Sequence, residues 1–234
     1  MSNASLYLIP VPISEKNSFI SDEVKEILPT ISHFVVENLK MARRALRSLG
    51  YKKDFDTEVS FFEWDKHTDN QSLKEVENWM MEEKIIGVLS DAGLPCIADP
   101  GNRVVALAHQ LHVDVRPLSG PSSIILALIA SGFNGQNFAF HGYLPIDKGQ
   151  RIARLKQLES MASAGQTQIF METPYRNESL WVDLLANLNE KILLSVAADI
   201  LGEKQFIKTR SIKEWKSSKE VSFHKVPAVF CIYR

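Results

Sequence analysis

The run IIGVL at residues 85–89 constrains the fold of this chain most, because it contains no polar side chain. A strand with one face toward solvent alternates apolar and polar residues, so a fully apolar strand predicts a sheet that is covered on both faces. Further strands are predicted at residues 6–9 and 33–36, and segments with helical periodicity, for example residues 70–83, separate the predicted strands. This alternation predicts a doubly wound, mostly parallel sheet.

The second half of the chain continues the alternation and then favours strands at residues 192–198 and 206–211. The connection between these two strands is short, which favours antiparallel pairing and therefore a mixed sheet. The chain has 234 residues, of which 45% are hydrophobic, and this is enough for two domains with their own cores. We therefore expect an N-terminal α/β domain at residues 1–119 and a C-terminal α/β domain at residues 120–234.

Charge and composition exclude several classes of protein. The net charge is −1, so no global positive field draws the chain to nucleic acid. The two cysteines, Cys96 and Cys231, are far apart in apolar surroundings, which favours a reduced, cytoplasmic protein over a disulfide scaffold. The six histidines show no metal-binding spacing, so we expect no metal. We expect no membrane association and no signal peptide, because no apolar run is long enough to span a bilayer and the first residues lack a basic segment.

The loops that follow the strands are the candidate sites, because ligands of open α/β sheets bind beyond the carboxyl ends of the strands. Residues 90–101 contain two Gly, two Pro and two Asp, which indicates either a backbone that faces a ligand or a rigid crossover. Residues 118–124 predict a capped helix start, which is either a polar ligand site or structure alone. Residues 170–177 carry Glu172 and Arg176, either as site residues or as a salt bridge. The usual glycine-rich nucleotide motifs are absent from the sequence.

Five segments, in this order, resemble the tetrapyrrole-methylase superfamily, the class III methyltransferases. They are LYLIPVPI at 6–13, LSDAGLPCIADPG at 89–101, PLSGPS at 117–122, GYLP at 142–145 and ETPYR at 172–176. The second segment is the most specific match, and the resemblance covers nearly the whole chain. Within the superfamily, the chain is most similar to the branch that 2′-O-methylates a cytidine of small-subunit ribosomal RNA.

The resemblance implies an S-adenosyl-L-methionine-dependent methyltransferase that is a homodimer and holds the cofactor in a cleft between its two domains. By position in the motifs, it assigns cofactor contacts to nine residues. They are Pro12, Asp91, Ala92, Gly93, Ile97, Ser122, Ser123, Met171 and Ala228.

Three motifs differ from those of the ribosomal branch. The first is SEKNS at 14–18, where the branch continues Pro-Ile with Gly-Asn-Leu. The branch has Glu-Asp-Thr-Arg where this chain has ENLK at 37–40, and Arg-Glu-Leu-Thr-Lys where this chain has ADILG at 198–202. Three alternatives therefore remain open: an RNA methyltransferase, a methyltransferase acting on a tetrapyrrole or another small molecule, and a non-catalytic homologue that binds the cofactor. An RNA substrate would need a basic surface. The candidates, each of which is otherwise part of a solvated helix face, are Arg43, Arg44, Arg47, Lys52, Lys53, Lys148, Arg151, Arg154 and Lys156.

Two carboxylates are the candidates for the acceptor side of the reaction. Methyl transfer from a sulfonium is an in-line displacement with a neutral leaving group, so the protein mainly orients the reactants and excludes water. A ribose hydroxyl would also gain from a base or a hydrogen-bond acceptor. We expect Glu172 and Asp199 to supply it as the catalytic residues, since Asp91 lies in the cofactor loop.

Overall fold

The computed structural model describes residues 4–14, 21–64, 73–218 and 225–234. The chain divides into two units, Met1–Ser122 and Ser123–Arg234. Each unit contains one five-stranded sheet with helices, which confirms the two α/β domains predicted from the sequence. Among the helices in these ranges, none combines the length and apolar character that crossing a membrane requires.

The sheet of the first unit is entirely parallel. Its strands are β1 (Ser5–Leu8), β2 (His33–Val36), β3 (Ser60–Glu63), β4 (Ile85–Leu89) and β5 (Asp114–Pro117). Its α-helices are α1 (Asp22–Ile27), α2 (Leu39–Ser48), α3 (Lys74–Met81) and α4 (Asn102–Gln110). The strand order is β3-β2-β4-β1-β5. The start of the helix expected at residues 70–83 lies outside the described residues.

The burial of the strands explains this order. β4 is apolar and buried along almost its whole length, and it lies in the centre of the sheet. The more polar strands β3 and β5 lie at the two edges, where part of each strand faces solvent. Successive residues of a strand point to opposite faces, and Phe34 and Val35 accordingly belong to two different buried clusters. The apolar strand therefore indicated correctly that both faces are covered.

The sheet of the second unit is mixed. Its strands are β6 (Phe138–Tyr143), β7 (Thr167–Glu172), β8 (Leu193–Ala198), β9 (Phe206–Ser211) and β10 (Ala228–Tyr233). Its helices are α5 (Ser123–Ser131), α6 (Lys148–Ser163), α7 (Asn177–Asn187) and α8 (Ile212–Ser217). The order is β6-β7-β10-β8-β9, with β6 and β7 parallel and the other three pairs antiparallel. The antiparallel pair β8–β9 confirms the prediction from their short connection.

This topology brings the carboxyl ends of several strands to the same end of the second sheet, which we call its carboxyl edge. Since β10 is antiparallel to both β7 and β8, these two strands run in the same direction and their carboxyl ends reach the same edge. At that edge Ala228, the first residue of β10, pairs with Glu172 of β7 on one side and with Ala198 of β8 on the other. The loops after β6, β7 and β8 therefore start along this edge.

Candidate functional site

The loops after β1 and β4 meet at a switch point of the first sheet. β1 and β4 are neighbours, but β1 leads to β2 on one side of the sheet and β4 leads to β5 on the other. Beyond the strands, Val11 donates a hydrogen bond to the carbonyl of Gly93 (2.8 Å), and Gly93 donates one back to Val11 (2.9 Å). Such switch points are where open α/β sheets bind ligands. The paired loops form the floor of the candidate site in this unit.

Two glycines allow the backbone to pack this closely. Gly93 has a φ of 76°, a left-handed conformation that costs a residue with a Cβ about 1–2 kcal/mol. A Cβ on Gly93 would also lie 3.2 Å from Cγ2 of Ile13 and 3.3 Å from the carbonyl oxygen of Pro121. A Cβ on Gly120 would overlap Cβ of Pro10 and lie 2.6 Å from its Cγ. The segments after β1, β4 and β5 thus meet with almost no side chain between them.

Asp99 organises the rest of the loop that follows β4. Its Oδ1 accepts a hydrogen bond from the N–H of Gly101 (2.8 Å), and the N–H groups of Cys96 and Ile97 also donate to its carboxylate. Cys96 and Ala98 have left-handed φ values of 70° and 65°, so the backbone of this loop turns sharply on both sides of Ile97. The Oδ2 atom is buried and has no hydrogen-bond partner within the described part of the chain. Burial raises the pKa of Asp99, and its three N–H donors oppose that shift.

The carboxyl ends of the strands in the first sheet also carry negative charge, from Asp91, Asp99 and Glu63. Partial burial and the nearby carboxylates of Asp99 and Glu63 raise the pKa of Asp91. A cationic ligand at this edge would reduce the repulsion among these groups. Burial, with Asp99 adding to it, raises the pKa of the Cys96 thiol to about 12, so this cysteine is not a thiolate nucleophile at neutral pH. The chemistry of the edge therefore fits a ligand that combines backbone hydrogen bonding with a positive charge.

Six of the nine residues assigned to the cofactor belong to these loops. Pro12 follows the residue that pairs with Gly93, and Ser122 follows the residue whose carbonyl faces Gly93. Ala92 and Ile97 are exposed, so both are open to a ligand. The six are Pro12, Asp91, Ala92, Gly93, Ile97 and Ser122. S-adenosylmethionine fits this donor set, because its adenosyl and amino-acid parts need backbone partners and its sulfonium is cationic.

The other three residues assigned to the cofactor belong to the second unit. Ser123 is the first residue of α5, and Met171 is half-buried near the end of β7. Ala228 is buried beside Glu172 at the sheet edge described above. Met171 and Ala228 thus lie together at the carboxyl end of β7, while Ser123 is on a separate element.

Glu172 is buried in an ion pair. Its side chain is 1% exposed, its Oε1 accepts from the N–H of Thr173 (2.7 Å), and its Oε2 accepts from Nη2 of Arg176 (2.6 Å). The same Nη2 also donates to the carbonyl of Leu144 (3.2 Å). With both oxygens occupied by charge-assisted or backbone bonds, this carboxylate is arranged to hold the loops after β6 and β7 together.

Asp199 organises the turn after β8. Its φ is 48°, and its Oδ2 accepts from the N–H of Lys204 (2.7 Å). The N–H of Gly202 donates to the carbonyl of Asp199 (2.8 Å), and a Cβ on Gly202 would overlap the Asp199 carboxyl group. Glycine at 202, where the ribosomal branch has lysine, therefore allows the carboxylate to fold over its own turn. The turn begins at the same sheet edge as Glu172.

Most of the basic residues proposed for an RNA surface have partners inside the protein. The assignment of Arg151 is wrong, because its side chain is buried and paired with Asp183 (2.6 Å). Arg154 donates to Gln157 and contacts His141, and Lys53 donates to Ser32. Arg47 donates to the carbonyl of Tyr51 and lies 3.8 Å over the Phe55 ring. Arg43 and Lys156 also form ion pairs, whereas Lys52 and Lys148 are exposed.

Sequence reasoning missed two residues that shape these loops. The sequence pattern indicates only a turn at Asp99, although an acidic residue two positions before Gly101 is a usable signal. Asp183 lies within α7 in no motif, and its partner Arg151 is 32 residues away on α6. Nothing in a single sequence links these two positions.

Comparison with known proteins identifies the family of this chain. Residues 6–214 match the model of the family Tetrapyrrole (Corrin/Porphyrin) Methylases. The chain belongs to this family. Two ribosomal RNA small subunit methyltransferases I are among its relatives. The one from Vibrio cholerae serotype O1 is 31% identical over 191 residues, which are 80% of this chain and 63% of the relative. The one from Bacillus subtilis is 28% identical over 207 residues, which are 88% and 63%.

Solved structures of low sequence identity share the fold of this chain. A cobalt precorrin-4 methyltransferase has a TM-score of 0.63 at 11% identity, and the match covers 99% of this chain and 95% of that one. The methyltransferase CobJ has a TM-score of 0.62 at 13% identity, covering 99% and 93%. In sequence, the chain spans 57–63% of the length of the first three curated relatives.

Proposed function

We propose that this chain is an S-adenosyl-L-methionine-dependent methyltransferase whose acceptor is RNA, at a ribose 2′-hydroxyl of the small-subunit ribosomal type. The observation that carries the proposal is the pairing of Val11 with Gly93 under Pro121, a backbone floor at the switch point of a methylase-family sheet. The names of the curated relatives support RNA as the acceptor.

The first unit supplies the cofactor contacts in this proposal. When bound, the cofactor supplies an electrophilic methyl group on a sulfonium. The loops that carry Pro12, Asp91 to Gly93, Ile97 and Ser122 hold it through backbone groups, and Asp91 lies where a negative charge would favour the cation. Because the leaving group is neutral, fixed orientation and exclusion of water account for most of the rate. Contacts from Ser123, Met171 and Ala228, and the position of the cofactor between the two units, remain predictions.

The second unit supplies the acceptor side. We assign Glu172 as a positioning residue that fixes Arg176 and the carbonyl of Leu144, since its two oxygens are already bonded. Asp199 is half-buried, and one of its oxygens accepts from Lys204, so it is the better candidate to accept a hydrogen bond from a hydroxyl. Asp199 keeps the catalytic role predicted from the sequence, whereas for Glu172 we propose a positioning role in place of the predicted catalytic one.

We further propose a cytoplasmic homodimer. Both cysteines are free, and burial raises the pKa of each thiol to about 12, which fits a protein that needs no disulfide. The dimer follows from the resemblance to the family.

The test has two parts. Calorimetry should detect binding of S-adenosylmethionine and of S-adenosylhomocysteine. Radiolabelled methyl transfer should then label small ribosomal subunits prepared from cells that lack this protein, and nuclease digestion should locate the label on a ribose. Binding without transfer to RNA, together with transfer to a tetrapyrrole, would replace RNA as the acceptor. Absence of cofactor binding would overturn the methyltransferase assignment altogether.

A further inference from the structure

Three large side chains are exposed where the adjacent parallel strands β6 and β7 end. Tyr143, the last residue of β6, is 52% exposed. Ile146 in the next loop is 79% exposed, and Tyr175 in the loop after β7 is 77% exposed. Single exposed apolar residues are ordinary, whereas several in two neighbouring loops mark a binding surface. We call Tyr143, Ile146 and Tyr175 the apolar rim.

The loops that carry the apolar rim are held by two arginines. Arg176, fixed by buried Glu172, donates to the carbonyl of Leu144 (3.2 Å). Arg151, fixed by buried Asp183, donates to the carbonyls of Pro145 (3.2 Å) and Ile146 (2.8 Å). The backbone of residues 144–146 is therefore hydrogen-bonded at three successive carbonyls.

Two arginine–carboxylate pairs are more than an ordinary surface loop needs to hold its backbone. Burying a charged pair is costly, and replacing it by apolar residues often leaves stability unchanged or improves it. Here both pairs direct donors to one loop, in which the side chain of Ile146 is exposed. Rigid second-layer support of this kind is typical of loops whose side chains must meet a ligand in a fixed position.

We propose that Tyr143 and Tyr175 are a stacking surface for an unpaired nucleobase of the RNA acceptor, an inference that rests on the proposed function. Sequence-specific RNA binding depends largely on stacking of unpaired bases on aromatic rings. The rim lies at the carboxyl ends of parallel strands, where ligands bind in α/β sheets, and at the same edge as Asp199. Exposed Lys148, two residues after Ile146, adds a positive charge for the adjoining phosphate.

The rim also explains how this chain binds RNA despite its altered motifs. Most of the other basic candidates form hydrogen bonds or ion pairs within the protein. We therefore expect their contacts with phosphates alone to bind RNA weakly. Stacking is independent of salt, whereas each phosphate contact adds to the salt dependence of affinity. The acceptor is then selected mainly by an unpaired base and less by the charge of its backbone.

The experiment measures binding of a fluorescent single-stranded oligoribonucleotide and of a duplex of the same sequence by anisotropy, with methyl transfer as the second readout. Tyr175→Ala and Tyr143→Ala should each weaken single-strand binding about 5- to 160-fold, the range for loss of one stacked base. Tyr175→Phe and Tyr143→Phe should retain it. Val182→Ala, on the exposed face of α7 (62% exposed), is the matched control and should have no effect.

Salt and cofactor measurements separate this inference from the proposed function. The tyrosine variants should keep the parental salt slope, whereas Lys148→Gln should reduce the slope by about one. Calorimetry should show unchanged S-adenosylmethionine binding in all of them. Parental single-strand affinity in both alanine variants would overturn the stacking surface while leaving the methyltransferase intact. A change in oligomeric state in those variants, with RNA affinity retained, would assign the rim to contact with a second copy and also overturn the proposal.

Discussion

Replacing Gly120 by alanine tests the contact between the segments after β1 and β5. The added methyl would overlap Pro10 Cβ and lie 2.6 Å from its Cγ. An ordinary carbon–carbon separation is about 3.5 Å, so the two segments must move apart by at least about 1 Å. A shift of the segment after β1 disturbs Gly93, because Val11 is hydrogen-bonded to it. A shift of the segment after β5 also disturbs Gly93, because the carbonyl of Pro121 faces it.

The expected cost has two components. Overpacking a close contact typically lowers the free energy of unfolding by about 1–3 kcal/mol, which thermal unfolding will detect. Separately, a displacement of about 1 Å in groups that must meet a ligand together should weaken S-adenosylmethionine binding at least about tenfold, or about 1.4 kcal/mol. Calorimetry at a temperature where the variant is fully folded measures the second component alone.

Gly135→Ala is the matched control. A methyl group on Gly135 would have no heavy atom within 4 Å, and the φ of this residue is not left-handed, so it carries the same chemical change without the contact. It should retain both stability and affinity. If folded Gly120→Ala binds the cofactor as tightly as the parent, the close approach of Pro10 to Gly120 is not part of the cofactor site, and the argument from backbone packing is wrong.

Two further predictions concern charge and assembly. Since burial and neighbouring carboxylates raise the pKa of Asp91, a cationic cofactor should favour its ionised form, so affinity should rise from about pH 4 and level off above the raised pKa. Asp91→Asn should make the affinity for S-adenosylmethionine independent of pH in this range. S-adenosylhomocysteine, whose sulfur is neutral, should show a smaller pH dependence with the parent protein. Identical profiles in parent and variant would show that the charge of Asp91 does not contribute to cofactor binding. For assembly, light scattering at micromolar concentration should give twice the 26.4 kDa mass of the chain, and a monomer mass would contradict the homodimer.

The fold could be predicted well from the sequence because its signals are local. The apolar run of β4 predicted that both faces of the sheet are covered. The structure shows a buried cluster on each face, with Phe34 of β2 in one cluster and Val35 in the other. The short connection at 199–205 required β8 and β9 to be antiparallel. Boundaries were less exact: the helix expected to reach residue 83 ends at Met81, because Glu83 adopts a left-handed φ of 58°.

The candidate site could be predicted only as a set of loops. Glycine and proline spacing identified residues 90–101, since strained turns leave a local signature. The sequence could not indicate that Asp99 would be held by the N–H groups of its own loop, because this depends on the left-handed φ values of Cys96 and Ala98. For Glu172 and Arg176 the sequence left a site role and a salt bridge open, and the structure shows the salt bridge, with both oxygens of Glu172 bonded.

Arg151 shows most clearly what the tertiary structure alone decided. Along α6 it is one of several basic residues at helical spacing, and such a pattern is the same for a solvated face and for a buried charge. Only packing of α6 against α7 brings it to Asp183 and to the carbonyls of residues 145 and 146. The sequence by itself determined the strands, the helices and the loops that could bind a ligand, because periodicity and turn chemistry act over a few residues. Which charges face a ligand and which hold the loops in place depends on contacts between residues far apart in the chain, so only the folded structure could decide it.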